Sequence, residues 1–150
     1  MTRYLLVNGP NLNMLGIREP HIYGSTTLEA IRQACEEFAA FAGAELSFHQ
    51  SNHEGVLVDT FQKHMDEVAG AIINPGGFTQ YSVALHDCIK AMPFPVIEVH
   101  LSNLATREEW RHHSIISPAV KGTVQGLGWR SYTAALRTLV EIVREPKKAS

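Results

Sequence analysis

Apolar residues fill positions 4–7 without a break, the pattern of a strand buried on both faces, and residues 8–24 that follow are rich in turn formers. Leu28, Ile31, Cys35 and Phe38 then recur at helical spacing behind a Thr26-x-x-Glu29 capping box, and Gly43 supplies a stop. Residues 45–49 read as a second strand. Leu57, Phe61, Met65 and Val68 mark a second helix, which Gly70 separates from a buried strand at 71–73. A third helix fits residues 82–92, Pro95 opens a strand at 96–99, and residues 122–125 make a shorter one. Tyr132, Leu136, Leu139, Val140 and Val143 form the clearest helical stripe, and residues 146–150 read as a frayed tail.

Five strands alternating with helices predict a single α/β domain over residues 1–150. The expected form is a doubly wound, flavodoxin-like parallel sheet with helices on both faces. Such sheets bind ligands beyond the carboxyl ends of their strands. Four polar segments, at 8–13, 50–54, 74–80 and 100–103, each follow a strand and so converge on that edge.

Composition narrows the chemistry. Thirteen basic residues face fifteen acidic ones, for a net charge of −2, and no run is basic enough to track a phosphate backbone; no nucleic-acid partner is expected. No apolar stretch approaches the roughly 18–20 residues that span a bilayer, so no membrane partner is expected either. The first residues enter a strand pattern without the three-part layout of a signal peptide, and Cys35 and Cys88 sit in helical apolar patterns as reduced thiols would. A cytoplasmic domain fits. The chain has no Walker loop, no flavin-phosphate loop and no Gly-x-Ser-x-Gly elbow. Gly126-Leu127-Gly128 fits a tight turn, His112 and His113 lack companions at metal spacing, and no lysine falls in the polar clusters. What remains is acid–base work on a small oxygenated molecule, with no metal and no cofactor.

Within the clusters, Asn8, Asn11 and Asn13 offer hydrogen bonds where a ligand would lie, though the same residues suit a plain turn. Gly16 and Gly24 bracket a loop carrying Arg18 and Tyr23. An unperturbed phenol ionises near pH 10 and is a poor base at neutrality; a guanidinium beside it favours the phenolate. By themselves these two residues fit better as a surface arginine and a packed tyrosine. Asn74-Pro75-Gly76-Gly77-Phe78-Thr79-Gln80 joins a strand to a helix, where glycines permit close approach of a ligand or simply make the turn. Strand periodicity places Glu98 and His100 on one face, and a carboxylate that orients an imidazole makes a candidate general acid. Arg107 and Arg111, four apart on an expected helix, face a carboxylate or polyol, or pair with Glu108.

Several of these stretches resemble the type II 3-dehydroquinate dehydratases. They are Val7-Asn8-Gly9-Pro10-Asn11-Leu12, Arg18-Glu19-Pro20 with Tyr23-Gly24, Gln50-Ser51-Asn52, and Asn74-Pro75-Gly76 through Ser82-Val83-Ala84-Leu85. Ile97-Glu98-Val99-His100-Leu101-Ser102-Asn103, Arg107-Glu108-Glu109 and Arg111-His112-His113-Ser114 belong to the same pattern, and the likeness runs in order from about residue 5 to 132. The resemblance implies a flavodoxin-like enzyme without metal or cofactor, assembled as a homo-oligomeric dodecamer of four trimers, that dehydrates 3-dehydroquinate to 3-dehydroshikimate. It makes Tyr23 the base that takes a proton alpha to the ketone, with Arg18 beside it, and His100 the acid that protonates the departing hydroxyl in an anti elimination. It also implies a water near the asparagines that stabilises the enolate. Asn11 lies beside the reacting ring, Asn74 and Arg111 bind hydroxyls, and the Leu101-Ser102 backbone receives the carboxylate. Glu98 supports His100, and Asp87 reaches a neighbouring subunit's site.

Two positions depart from that pattern. Gln80 stands where the family has histidine, and Leu104-Ala105-Thr106 replaces a stretch that often carries histidine or an aromatic at 105. Glutamine can donate and accept hydrogen bonds but cannot carry a proton. Gln80 therefore keeps open a binding protein for a cyclic polyol acid with weak turnover. A flavodoxin-like electron carrier is disfavoured by the missing phosphate loop.

Overall fold

The computed structural model describes residues 1–17 and 19–147. Strands β1 (Thr2–Asn8), β2 (Ala44–Gln50), β3 (Gly70–Asn74), β4 (Val96–His100) and β5 (Gly122–Gln125) form one all-parallel sheet in the order β2-β1-β3-β4-β5. This is the doubly wound, flavodoxin-like arrangement. Every residue of β3 and β4 is buried; β3 reads accordingly as an unbroken apolar run up to Asn74, whereas β4 carries Glu98 and His100 among its apolar residues. The two-residue period still sorts the side chains. Tyr4, Leu6, Ile72, Ile97 and Val99 pack on one face beneath α2 (Leu28–Phe41) and α5 (Arg130–Arg144). Leu5, Val7, Ala71, Ile73 and Val96 pack on the other, beneath α3 (Glu54–Lys63) and α4 (Val83–Lys90). A four-residue helix, α1 (Pro20–Tyr23), lies in the loop after β1.

Local chemistry moved some boundaries. The cap of α2 is Thr27, not Thr26: its Oγ1 accepts from Ala30 N at 3.1 Å. No capping box forms, because Glu29 turns forward to Arg32, whose guanidinium also holds Glu36 at 2.8 Å. Helix α3 ends at Lys63, so Met65 and Val68 lie beyond it, and Gly70 opens β3 instead of preceding it. Ser82 caps α4 through Leu85 N, leaving Val83 exposed. The expected helix carrying Arg107 and Arg111 is absent. Residues 103–119 form three separate 3-10 turns, Leu104–Thr106, Glu109–Arg111 and Ser117–Ala119, with Arg107 itself extended between the first two. Asn103 Oδ1 caps the first turn at Ala105 N, and His112 Nε2 lies 2.9 Å from the Arg107 carbonyl oxygen, folding the second back.

Cys35 and Cys88 are free and buried, and burial pushes their thiols up to about 12 and about 11. Among the described residues no helix is long and apolar enough to cross a membrane.

At the β2 edge His49 and His64 share Ser47: its Oγ lies 2.7 Å from His49 Nε2 and 3.4 Å from His64 Nε2. Burial first, then His64 and Lys63, hold the His49 imidazole below its ordinary value of 6.5. The unfolded chain therefore binds the extra proton first as pH falls, which lowers stability through and below about 6.5 and leaves it unchanged above. The thermal midpoint is expected to fall between pH 7.5 and 5.5, and to fall less in His49→Gln. Equal pH slopes in the two proteins would remove His49 as the cause.

Candidate active site

Two loops meet at the switch point between β1 and β3. Gly9 N donates to Asn74 O at 2.8 Å, and a Cβ at Gly9 would lie 2.4 Å from the Pro75 carbonyl oxygen. Only glycine permits this approach. The paired loops form one wall of a cavity of ≈ 130 Å³, with the segment after β4 and Tyr23 completing it.

Tyr23 reaches the cavity from α1. Its hydroxyl oxygen accepts from Arg107 Nη2 at 3.1 Å, with the guanidinium carbon 5.2 Å from the ring centroid. Arg107 Nη1 donates to Ser102 Oγ at 3.0 Å, and the arginine side chain is only 8% exposed. Its nearest carboxylate is Glu108, at 3.8 Å from Nε, a separation for an ion pair and too long for a hydrogen bond. A buried cation thus sits on the phenolic oxygen. Arg18, the expected partner of Tyr23, lies outside the described residues. Sequence reasoning gave Arg107 no part beside the tyrosine, since 84 positions separate them and only the fold joins them.

His100 ends β4 and lines the same cavity. Its Nε2 lies 2.5 Å from Glu98 Oε2, so Nδ1 is the nitrogen left for a ligand. Glu98 is 1% exposed and must be satisfied internally. Ser117 Oγ donates to Oε1 at 2.7 Å, and Ser114 Oγ donates to Oε2 at 3.2 Å. Ser114 lies in the Arg111-His112-His113-Ser114 stretch and Ser117 in no motif, and neither serine's role was legible, because their partner is 16 and 19 positions away. A carboxylate held this way keeps the imidazole in one orientation.

Asn11, Asn74, Gln80, Leu101, Ser102 and Arg111 also line the cavity. Asn11 is left-handed (φ 67°), with Asn52 Oδ1 accepting from its backbone N at 3.0 Å. Asn8 does not face the ligand space: it is fully buried beneath it. Asn13 accepts from Gln50 Nε2 at 3.4 Å. Gln80 Nε2 donates to the Arg111 carbonyl at 3.3 Å, which sets its amide orientation. Its buried Oε1 has no hydrogen-bond partner among the described residues. Arg111 Nε pairs with Glu108 at 2.5 Å and its guanidinium lies over the Trp110 ring, 4.1 Å from the centroid. That pairing holds the Glu108 carboxyl below the usual carboxylate range. Asp87 is not brought to this cavity. It stands exposed on α4, 2.9 Å from His86 Nδ1. Among the described residues no three His, Cys, Asp or Glu side chains cluster to hold a metal ion.

The family model for dehydroquinase class II matches residues 2–140 of the chain. A 3-dehydroquinate dehydratase of Herpetosiphon aurantiacus is 53% identical over 137 residues, covering 91% of this chain and 95% of that protein. One from Caldicellulosiruptor bescii is 49% identical over 144 residues, covering 95% and 99%. Among solved structures, a type II dehydroquinase from Butyrivibrio crossotus superposes with a TM-score of 0.90 at 39% identity, over 92% of this chain and 97% of that one. With a match over residues 2–140 and relatives spanned almost end to end, the chain belongs to the dehydroquinase class II family.

Proposed function

We propose that the protein dehydrates 3-dehydroquinate to 3-dehydroshikimate, in the shikimate pathway or in quinate breakdown. The observation that carries the reading is a tyrosine and a histidine in one cavity with opposite electrostatic supports: Arg107 on Tyr23 and Glu98 on His100. A phenol acts as a base only as the phenolate, which a cation beside it favours until the proton is taken, and an imidazole that gives up a proton is oriented by an anion beside it. Tyr23 takes the proton alpha to the ketone. The electron pair passes into the carbonyl to give an enolate, then returns to expel the beta hydroxyl, which His100 protonates so that it leaves as water.

The surrounding groups suit a polyhydroxylated ring acid. Asn74 and Gln80 offer amide contacts to hydroxyls, Arg111 offers a guanidinium, and the Leu101-Ser102 backbone receives the carboxylate. Asn11 lies beside the ring. Gln80 replaces the family's histidine and, with Oε1 unpartnered, acts as an acceptor awaiting a hydroxyl proton. The family resemblance also gives Arg18 the role of favouring the Tyr23 phenolate. The same reading makes the protein a cytoplasmic homo-oligomer, a dodecamer of four trimers, in which the exposed Asp87 serves the site of an adjoining subunit.

Turnover is read from the ultraviolet absorbance of the conjugated enone product. Tyr23→Phe is expected to lower kcat by about 100-fold or more, the scale of lost general-base catalysis. His100→Ala should cripple elimination while titration still shows substrate binding. Near-normal rates in either variant would overturn that residue's role, and a wild-type protein that binds substrate without turnover would favour a binding function instead. Gln80→Ala should raise KM about tenfold, as expected when a hydrogen bond to a buried group is lost. An unchanged KM would mean that no substrate hydroxyl uses it.

A further inference from the structure

A chain of buried amides and one hydroxyl runs under the cavity floor. Asn8 Nδ2 donates to the His49 carbonyl at 3.0 Å, and Asn8 Oδ1 accepts from Tyr132 Oη at 2.8 Å. Tyr132 Oη in turn accepts from Asn74 Nδ2 at 2.8 Å. Asn74 Oδ1 accepts from Gly76 N at 3.1 Å. The links come from β2, β1, α5, β3 and the loop after β3, so the chain crosses the switch point where the cavity opens. Asn8 and Tyr132 are fully buried and Asn74 is 3% exposed, so water does not substitute for a lost link.

The hydroxyl has a single proton, which gives the chain a direction. Burial raises the Tyr132 hydroxyl above the ordinary phenol range, so it keeps that proton at any working pH. Turning the Asn74 amide over would set its NH2 against Gly76 N–H and its oxygen toward Tyr132. The hydroxyl would then have to abandon Asn8 to donate to Asn74. One flip costs two hydrogen bonds, the one between Tyr132 and Asn8 fully buried. Held at both ends, Asn74 keeps one N–H and one oxygen lone pair for the cavity, the pair of functions that an alcohol hydroxyl matches.

We propose that Tyr132 is a positioning residue for ligand binding: through its hydroxyl it fixes the Asn74 amide in the orientation that receives a ligand hydroxyl. This rests on the reading of the cavity as a polyol-acid site. In Tyr132→Phe, KM for 3-dehydroquinate should rise about tenfold with kcat changed by less than about threefold, the loss expected for one misplaced polar contact. In an Asn74→Ala background the same substitution should change KM by less than about twofold, because the residue through which it acts is gone. A role confined to stability would lower the thermal midpoint and leave KM of the folded enzyme at the wild-type value. Asn8→Ala, which cuts the chain from the other end and leaves the Tyr132 ring in the core, should raise KM in the same direction and serves if Tyr132→Phe does not fold. An unchanged KM in either folded variant, or additive KM effects in the double variant, would overturn the proposal.

A readout independent of turnover separates this inference from the reaction. In ¹⁵N-labelled protein the two Asn74 Nδ2 protons should be distinct and slow to exchange, and should become fast-exchanging in Tyr132→Phe. Loss of wild-type turnover with that amide signature intact would sink the reaction and keep the positioning role. An Asn74 signature indifferent to Tyr132→Phe would sink the positioning role whatever the turnover.

Discussion

A carboxylate lies in the middle of β4 with 1% of its surface exposed, and much of the chain beyond the sheet is shaped by the need to satisfy it. Burying an unpaired charge costs several kcal/mol even after relaxation. Glu98 offsets that cost with His100 on its own strand and with Ser114 and Ser117 from a segment that must fold back over the strand's end. Ser114 Oγ also accepts from Ile116 N at 3.1 Å and Ser117 N at 3.0 Å, so the carboxylate and the turn at Ser117–Ala119 are organised by one hydroxyl. A regular helix through residues 103–117 would put Arg107 and Arg111 side by side. Broken into single turns, the segment sends Arg107 to Tyr23 and lets Arg111 line the cavity while it pairs with Glu108.

The sheet and its helices were legible because each obeys a local rule. Unbroken apolar runs mark β1 and β3, and the 3.6-residue stripe of Tyr132, Leu136, Leu139 and Val140 marks α5. The end of each strand was legible for the same reason: polar residues at the carboxyl edge of a buried strand have no core to enter. The Glu98–His100 pair followed from a period of two, and the structure joins the two side chains. The errors lie where a tertiary partner outweighed a local preference. Four-residue spacing suggested a helix for Arg107 and Arg111, but Ser102 and Tyr23 hold Arg107 in an extended segment. Glu29 was spacing-competent for a capping box and instead engaged Arg32.

The three asparagines after β1 carry the same lesson at finer grain. Turn propensity treats Asn8, Asn11 and Asn13 alike, yet they do three different jobs. Asn11 takes a left-handed conformation at the cavity, Asn13 braces Gln50, and Asn8 is buried as a link between Tyr132 and the His49 carbonyl. What separates them is which one ends the strand. Asn8 is the last residue of β1 and stands opposite Asn74, the last of β3, in the sheet register. Two amides at the ends of adjacent strands, in a layer that is otherwise apolar, require a buried group that can both donate and accept. Tyr132 supplies it from α5 with a ring that belongs to the core and a hydroxyl that belongs to the site.

The end of β4 joins the electrostatics of Tyr23 and His100. His100 is its last residue, with Nε2 committed to an anion, and two positions later Ser102 accepts from the guanidinium that sits on Tyr23. Anion and cation are thereby placed by one short stretch of backbone, one beside His100 and the other beside Tyr23. Leu101, between them and 5% exposed, packs into the α2–α5 core and keeps that stretch from sliding. A one-residue slip would turn His100 to the opposite face of the sheet and pull Ser102 from Arg107 in the same step, because the side-chain period of a strand is two. His100 and Tyr23 are therefore not independent parts of the site. Whatever moves the end of β4 changes the charge beside both.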